Sequence, residues 1–211
     1  MTFYRFAWTV VYMLCRVLFR VRVIGAEKVP ATGAYIVAPA HRSILDTPFA
    51  SFITRRRVRF MAKRELFESR MGEWLFTKLG GIPVERGSAT ARSALKAVQA
   101  ALADGEPAAV FPEGTRRHGP VVDELFDGAA YLAVKLGVPL VPVGVGGSEQ
   151  ILSSGKVVPK LHRVVVVVGD PIYPPAGAST RRRGDLQALT KELQDALQPL
   201  FDEALKQAGQ T

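Results

Sequence analysis

Apolar segments of two kinds alternate along the chain. Short apolar runs at 34–38, 108–111 and 164–168 have the length and composition of buried strands. Other segments, such as 90–103, place apolar residues three or four positions apart, which is helical spacing. Strands that alternate with helices predict an α/β fold with a mostly parallel central sheet flanked by helices. We expect one such domain over residues 24–211.

The last helix begins near Asp185, where leucines start to recur at helical spacing. Pro199 falls inside this pattern and predicts a break or kink, because proline lacks the backbone N–H and crowds the preceding turn. Upstream, Gly144, Gly146 and Gly147 follow an apolar strand. These glycines lack the G-x-G-x-x-G spacing of dinucleotide-binding loops, and no apolar-periodic helix starts there, so we assign them no nucleotide role.

The pattern of residues 1–23 predicts an amphipathic helix. At about 100° per residue, most of its polar side chains share an arc of roughly 60°, and the rest of the circumference is aromatic or aliphatic. Those polar residues are Thr2, Arg5, Thr9, Arg16 and Arg20. A spanning helix needs about 18 uninterrupted apolar residues, and the arginines break this run sooner. No small-residue cleavage site follows it, which disfavours a secretory signal.

Two fates remain for this helix: packing in the core of the domain, or lying in the surface of a bilayer. Its apolar arc is too wide for one-sided packing, and Tyr4, Trp8 and Tyr12 suit the headgroup level of a membrane. We therefore predict a membrane-associating helix over residues 1–23. The protein would then be monotopic and would lie on the cytoplasmic face of the cell membrane.

A histidine and a carboxylate stand five positions apart after the strand at 34–38. Asp46 can hold one ring nitrogen of His41, which leaves the other nitrogen free to take a proton. The competing interpretation is a capping box, in which Ser43 and Asp46 satisfy the start of the next helix. This segment alone favours the cap. Both interpretations hold together if Ser43 caps the helix and Asp46 faces His41.

A second polar turn, at 111–117, follows the strand at 108–111. It carries a carboxylate, a glycine, a hydroxyl and two guanidiniums, which together can form a cradle for an anion. An ordinary polar turn has the same composition, so this segment alone leaves both interpretations open.

The charge of the chain favours anionic partners. Lysine and arginine number 28 against 19 acidic residues, for a formal net charge of +9, which suits nucleic acid, anionic lipid or phosphorylated substrates. We predict no nucleic-acid partner, because no aromatic-basic interleaving or recognised motif accompanies the charge. A single cysteine, Cys15, excludes an internal disulfide, and the three histidines lack paired ligand spacing, so we predict no metal site.

Four blocks of sequence, in order, resemble the glycerolipid acyltransferase superfamily, and specifically the PlsC-type 1-acylglycerol-3-phosphate acyltransferases. The blocks are His41-x-x-x-x-Asp46, Gly81-Ile82-Pro83-Val84-Glu85-Arg86, Phe111-Pro112-Glu113-Gly114-Thr115-Arg116 and Val138-Pro139-Leu140-Val141-Pro142-Val143. Two positions depart from the family. Ala40 stands where members often carry asparagine, and Asp127 stands where they often carry lysine.

The resemblance implies transfer of a fatty acyl group to the sn-2 hydroxyl of lysophosphatidate, giving phosphatidate. The donor would be an acyl-CoA or acyl-ACP thioester, with no cofactor. His41 would act as general base with Asp46 as its partner, and Cys15 would form no acyl-enzyme. The substrate-binding residues implied are Arg86, Glu113, Gly114, Thr115, Arg116 and Lys63. Among them the cations would bind the acceptor phosphate, and Glu113 would bind the acceptor's glycerol or hold Arg86 or Arg116.

Two alternatives stay open at the level of sequence. An acyltransferase of the same superfamily could use another acceptor: glycerol-3-phosphate, another lysophospholipid or a glycolipid. A non-catalytic lipid-binding homologue is the second alternative. The negative charge at Asp127 favours it slightly, and the intact pair of His41 and Asp46 argues against it.

Overall fold

Seven strands form a central sheet in the computed structural model, which describes residues 2–84, 88–151 and 160–210. The strands are β1 (Arg22–Ile24), β2 (Ile36–Pro39), β3 (Arg59–Lys63), β4 (Gly81–Val84), β5 (Ala108–Ala109), β6 (Leu140–Gly146) and β7 (Val165–Val168). The helices are α1 (Thr2–Leu18), α2 (Asp46–Ser51), α3 (Arg70–Leu79), α4 (Ser88–Ala103), α5 (Gly128–Leu136), α6 (Ser148–Ile151) and α7 (Arg183–Ala208).

The strand order is β1-β7-β6-β2-β5-β3-β4. Every neighbouring pair is parallel except β6 and β7. The predicted α/β class with a mostly parallel sheet is therefore confirmed. The carboxyl ends of β2, β5, β3 and β4 meet at one edge of the sheet, which is where α/β folds place their ligand sites. Because β7 runs the opposite way, its first residue also lies at this edge.

One face of the sheet is closed by α4, α5 and α7. We call this the closed face; it takes alternate side chains of each strand, such as Ile36 and Ala38 of β2. Leu189, Leu193 and Leu197 repeat on the inner side of α7 and are almost fully buried. Burial of a long apolar stripe on a sheet is the main source of stability for such a helix.

Helix α7 lies unusually close to β6. A Cβ built on Gly146 would stand 2.3 Å from the backbone of Ala204, and one on Gly144 would stand 2.3 Å from the carbonyl oxygen of Leu200. Gly144 and Gly146 therefore allow α7 to pack closely on this strand. No break occurs at Pro199, because α7 continues through it, and the alternative prediction of a kink there stays a prediction. Packing of the flanking turns outweighs the hydrogen bond that proline removes.

The other face is covered by α1 and α2, with α3 beside α1; we call it the open face. Tyr4 is only 8% exposed and its hydroxyl donates to the carbonyl oxygen of Arg56. Trp8 stacks on Tyr12 and donates to the carbonyl oxygen of Ser51. Tyr4 is buried in the domain, so its predicted place at a headgroup level is wrong. Trp8 and Tyr12 are only half-buried, and their place at that level stays a prediction.

The outward side of α1 is nonetheless strongly apolar. Its exposed side chains are Phe6, Val10, Val11, Met13, Leu14, Val17 and Leu18. One part of the apolar arc thus packs against the domain and another part faces solvent, so the two fates weighed for this helix are not exclusive. None of the described helices combines the length and the hydrophobicity that crossing a bilayer would require.

Candidate active site

His41 and Asp46 meet in the loop that joins β2 to α2. Nδ1 of His41 lies 3.1 Å from Oδ2 of Asp46, as the spacing of the two residues predicted. The carboxylate is fully buried and the imidazole is 17% exposed. Since a carboxylate accepts, Nδ1 carries the proton and Nε2 keeps its lone pair. The ring also stacks on Phe111, with centroids 3.9 Å apart, so its orientation is held on two sides.

Asp46 also organises the loop backbone. Its Oδ2 accepts hydrogen bonds from the backbone N–H groups of Arg42 and Ser43, each at 2.6 Å. This is one half of the predicted capping box. The other half is not formed, because the N-cap position of α2 is Leu45 and the Ser43 hydroxyl accepts from the Leu45 N–H instead. One carboxylate oxygen therefore fixes the loop and the imidazole together.

Glu113 enters the site from the turn after β5, the strand beside β2. Its side chain is completely buried. It accepts from the backbone N–H of His41 at 2.7 Å and from the N–H of Asp123 at 3.2 Å. Glu113 thus holds the base through the main chain and pairs with Arg42. That it also binds the acceptor's glycerol, or holds Arg86 or Arg116, stays a prediction.

Arg42 is the residue that sequence reasoning missed. Its Nη1 lies 2.9 Å from both carboxylate oxygens of Glu113. Its other nitrogens donate to the carbonyl oxygens of Gly119 and Val121, and its guanidinium lies over the ring of Phe201. A buried ion pair with this many additional hydrogen bonds offsets its own desolvation. It locks the His41 loop to the turn after β5 and to α7.

The other predicted ligands surround this core. Gly114, Thr115 and Arg116 are exposed in the turn. Gly114 has φ +68°, and a Cβ there would stand 2.9 Å from the ring of Phe126, so the turn requires glycine. The backbone N–H of Arg117 donates to the carbonyl oxygen of His41 at 2.8 Å, which ties the turn to the base.

Lys63 is exposed at the carboxyl end of β3, separated from β2 by β5 alone. It therefore shares the sheet edge with His41. Arg86 lies outside the described residues, two positions after the end of β4, so its predicted convergence with Arg116 stays a prediction.

An apolar cavity of about 410 Å³ lies on the open face beside the site. Its wall on the side of the His41 loop is formed by Ile44, Thr47 and Pro48. The remaining lining comes from α1, β3, α3 and their neighbours: Tyr4, Ala7, Trp8, Val11, Ser51, Phe52, Val58, Phe60, Met61, Ala62, Leu66, Phe76, Leu79 and Ala109. The cavity thus extends from the loop that carries His41 to the helix that carries the exposed apolar surface.

The family model described as Acyltransferase matches residues 20–146, which is more than half of the chain. The chain belongs to the Acyltransferase family.

Curated relatives bear the same kind of name. The 1-acyl-sn-glycerol-3-phosphate acyltransferase of Bacillus subtilis is 27% identical over 198 residues, covering 93% of this chain and 96% of the relative. The enzyme of that name from Chlamydomonas reinhardtii is 32% identical over 142 residues, covering 65% of this chain and 42% of the relative. The crystal structure of the lysophosphatidate acyltransferase PlsC from Thermotoga maritima aligns with a TM-score of 0.70 at 27% identity, covering 87% of this chain and 71% of that one.

Two further residues bear on how this acyltransferase works. Burial raises the pKa of the Cys15 thiol, which disfavours the thiolate and agrees with the prediction that Cys15 is not a nucleophile. The carboxylate of Asp127, the departure from the family pattern, accepts from the hydroxyl of Thr190 at 2.7 Å. Its negative charge is therefore engaged with α7.

Proposed function

We propose that this acyltransferase transfers a fatty acyl group from an acyl thioester to the sn-2 hydroxyl of lysophosphatidate, giving phosphatidate. The observation that carries the proposal is the oriented pair of His41 and Asp46 beside an apolar cavity. The names of the relatives supply the acceptor, and the length match with the Bacillus protein supports the same reaction in a chain of this size.

In the proposed mechanism His41 acts twice. Nε2 takes the proton of the acceptor hydroxyl as the oxygen attacks the thioester carbonyl, because an alcohol is a poor nucleophile at neutral pH. The imidazolium formed is stabilised by the buried carboxylate of Asp46. When the tetrahedral intermediate collapses, the C–S bond breaks and the proton passes to the departing thiolate. No bond to the protein forms at any stage.

The phosphate of the acceptor needs cations and its acyl chain needs an apolar surface, and the site offers both. Lys63 and Arg116 are exposed cations at the edge that holds His41, and with Arg86 they would bind the acceptor phosphate. An acyl chain is apolar and gains about 0.8 kcal/mol for each methylene buried. The cavity that begins at Ile44 and Thr47 would hold such a chain within reach of the base.

The test is acyl transfer from labelled acyl-CoA to lysophosphatidate, run beside glycerol-3-phosphate and other lysophospholipids. We expect lysophosphatidate to be the best acceptor and His41→Ala to lower kcat by about 10²- to 10⁴-fold, the usual share of a general base. His118→Ala is the matched control, since His118 is an exposed histidine paired with Glu149. Unchanged turnover in folded His41→Ala would overturn the mechanism. Preference for another acceptor would overturn the substrate.

We also propose that the protein lies on the cytoplasmic face of the cell membrane without crossing it. The exposed apolar side of α1 supports this, and it extends to α3, where Phe3 contacts Trp74 and Met71 is 78% exposed. The lipid-contacting surface we propose is the exposed side of α1 with α3 beside it. The predicted helix over residues 1–23 ends at Leu18, and residues 22–23 belong to β1 of the sheet. Because Tyr4 is part of the core, α1 belongs to the packed acyltransferase domain as well.

Deleting α1 would expose this core, so point variants make the better test. We expect Phe6→Ser/Val17→Ser to weaken binding to anionic vesicles at least tenfold, because each removes an exposed apolar side chain from the lipid-facing side. Tyr173→Ser, an exposed apolar position away from α1, is the control. Equal sedimentation of all three proteins with vesicles would exclude this orientation.

A further inference from the structure

A second cavity, of about 550 Å³, lies where α1 ends and β1 begins. Its lining residues are Tyr12, Arg16, Arg20, Val21, Arg22, Val23 and Arg163. None of the described lining residues is acidic, and no salt bridge within the described part of the chain involves these arginines. We call this the arginine pocket. It shares no lining residue with the cavity beside His41.

The backbone that carries the arginines is fixed. The N–H of Val164 donates to the carbonyl oxygen of Phe19, and the N–H of Arg22 donates to the carbonyl oxygen of Val164, each at 3.0 Å. Val21 lies between them and is 2% exposed. These bonds join the segment of Arg20 and Arg22 to the segment of Arg163 as neighbouring strands. The backbone beneath these arginines is therefore fixed, while their side chains are exposed.

Arg20 is held in an unfavourable conformation. Its φ is +48°, and it is the one non-glycine residue with positive φ in the described ranges. A left-handed conformation costs about 1–2 kcal/mol for a residue with a Cβ, and such strain recurs at ligand sites. Arg20 is the second residue after α1, the position at which a left-handed residue commonly ends a helix. Arg16 at the end of α1 and Arg22 at the start of β1 border the same cavity.

Four positive charges around one cavity repel each other unless an anion joins them. Arginine is the side chain best suited to a phosphate, because its planar donors bind two oxygens at once. Tyr12 also lines the cavity, with its hydroxyl 3.5 Å from Nη1 of Arg16. The chemistry of the lining therefore selects a phosphate-bearing anion.

Position identifies the source of that phosphate. Arg163 precedes β7, whose first residue pairs with Gly146 at the carboxyl end of β6, so the pocket lies at the same sheet edge as His41. β1 is three strands from β2, which is roughly 14 Å at the usual strand spacing. The exposed apolar side of α1 leads to the pocket, ending in Leu14 and Val17. We infer that the arginine pocket binds the headgroup phosphate of an anionic phospholipid. This inference rests on the proposed membrane association.

Two double variants of the full chain test the inference. Arg16→Gln/Arg163→Gln removes two charges from the pocket. The control, Arg181→Gln/Arg183→Gln, removes two exposed charges near the start of α7. This site is about 30 Å along the helix from Ala204, which contacts Gly146 near the pocket. Binding is measured to vesicles of phosphatidylcholine with and without phosphatidylglycerol, at one ionic strength. We expect the pocket variant to lose phosphatidylglycerol-dependent binding by roughly tenfold to thirtyfold, and the control to change by less than about threefold.

Equal losses in both variants would overturn the pocket, since general charge would explain them. Unchanged vesicle binding with a raised KM for acyl-CoA in the pocket variant would overturn the lipid as source and assign the pocket to the donor's phosphates. If the natural chain binds no vesicles, the proposed membrane association fails by itself. The natural chain and the pocket variant are then titrated with soluble dihexanoyl phosphatidylglycerol. Binding by the natural chain that the pocket variant loses would support the arginine pocket as the phosphate site. Absence of binding by the natural chain would overturn it.

Discussion

The two faces of the sheet differ in how completely their apolar side chains are packed. On the closed face, α4, α5 and α7 cover the strands with side chains that are almost all buried. On the open face, α1 leaves a cavity of about 410 Å³ over β3 and presents a row of apolar side chains to solvent. Close packing stabilises the first face. The second leaves apolar surface unburied, which monomeric soluble proteins rarely do over a large area.

The difference suggests that the closed face stabilises the fold and that the open face contacts lipid. The His41 loop lies where they meet. Arg42 reaches toward Phe201 of α7 on the closed face, while Ile44 and Thr47 line the cavity on the open face. The His41 loop is thus held by contacts on the closed face, and it borders the cavity on the open face. Substitutions on the two faces should therefore be separable by their effects.

The largest effect on stability should follow Gly146→Val on the closed face. The new Cβ would meet the Ala204 backbone at 2.3 Å, and overpacking of this kind costs about 1–3 kcal/mol and occasionally more. Gly184→Ala is the control, because nothing lies within 4 Å of a Cβ there, and it should be neutral or slightly stabilising. Denaturant unfolding measures both. Unchanged stability of Gly146→Val would show that α7 is not tightly held.

A smaller, functional effect should follow Ala62→Leu on the open face. Ala62 is 8% exposed and lines the apolar cavity, so leucine would displace two or three methylenes of a bound chain, or about 2 kcal/mol. We expect kcat/KM for a palmitoyl substrate to fall at least tenfold while that for an octanoyl substrate is retained. The free energy of unfolding should change by less than about 1 kcal/mol. Equal losses for both chain lengths would argue against the cavity as the acyl site.

The smallest effect should follow Glu106→Gln, at the edge far from His41. Burial raises the pKa of Glu106, but hydrogen bonds and charge from Arg57 and Arg59 outweigh it and lower the pKa below its ordinary value of 4.5. The carboxylate therefore stabilises the fold above pH 4.5, and this contribution is lost as pH falls through the lowered pKa. We expect a loss of about 1 kcal/mol or less at pH 7.

The difference between Glu106→Gln and the natural chain should shrink toward zero below pH 4.5, with acyl transfer per folded molecule unchanged. Urea unfolding at pH 7 and pH 3 measures this difference. A gap that stays constant across that range would mean that the pairs with Arg57 and Arg59 do not stabilise the fold.

The parts of the molecule that sequence predicted are local or periodic. Alternating strands and helices indicated the sheet, and the contact of His41 with Asp46 follows from a spacing of five residues across one loop. The pair of Arg42 and Glu113 joins residues 71 apart, and it forms only because β5 lies beside β2. Strand order is set by packing of the whole chain, so no spacing in the sequence indicates this contact.

Helix α1 shows the same limit in another form. Periodicity determined which of its residues share a side, but not which side meets the domain. Tyr4, Trp8 and Tyr12 were all assigned to lipid on composition. Tyr4 and Trp8 instead donate to backbone carbonyl oxygens of the domain, and the ring of Tyr12 packs on Phe52. The break predicted at Pro199 is absent for a related reason, since packing of α7 outweighs a local propensity.

The arrangement around Oδ2 of Asp46 has a consequence for how the protein loses function on heating. Helix α2 has six residues, and short helices with few turns open locally before the rest of a domain. Opening its first turn would release the Arg42 and Ser43 backbone bonds and the imidazole at once, since all three end on one oxygen. Thermal inactivation would then report fluctuation of this loop, at temperatures where the sheet and α7 are still intact.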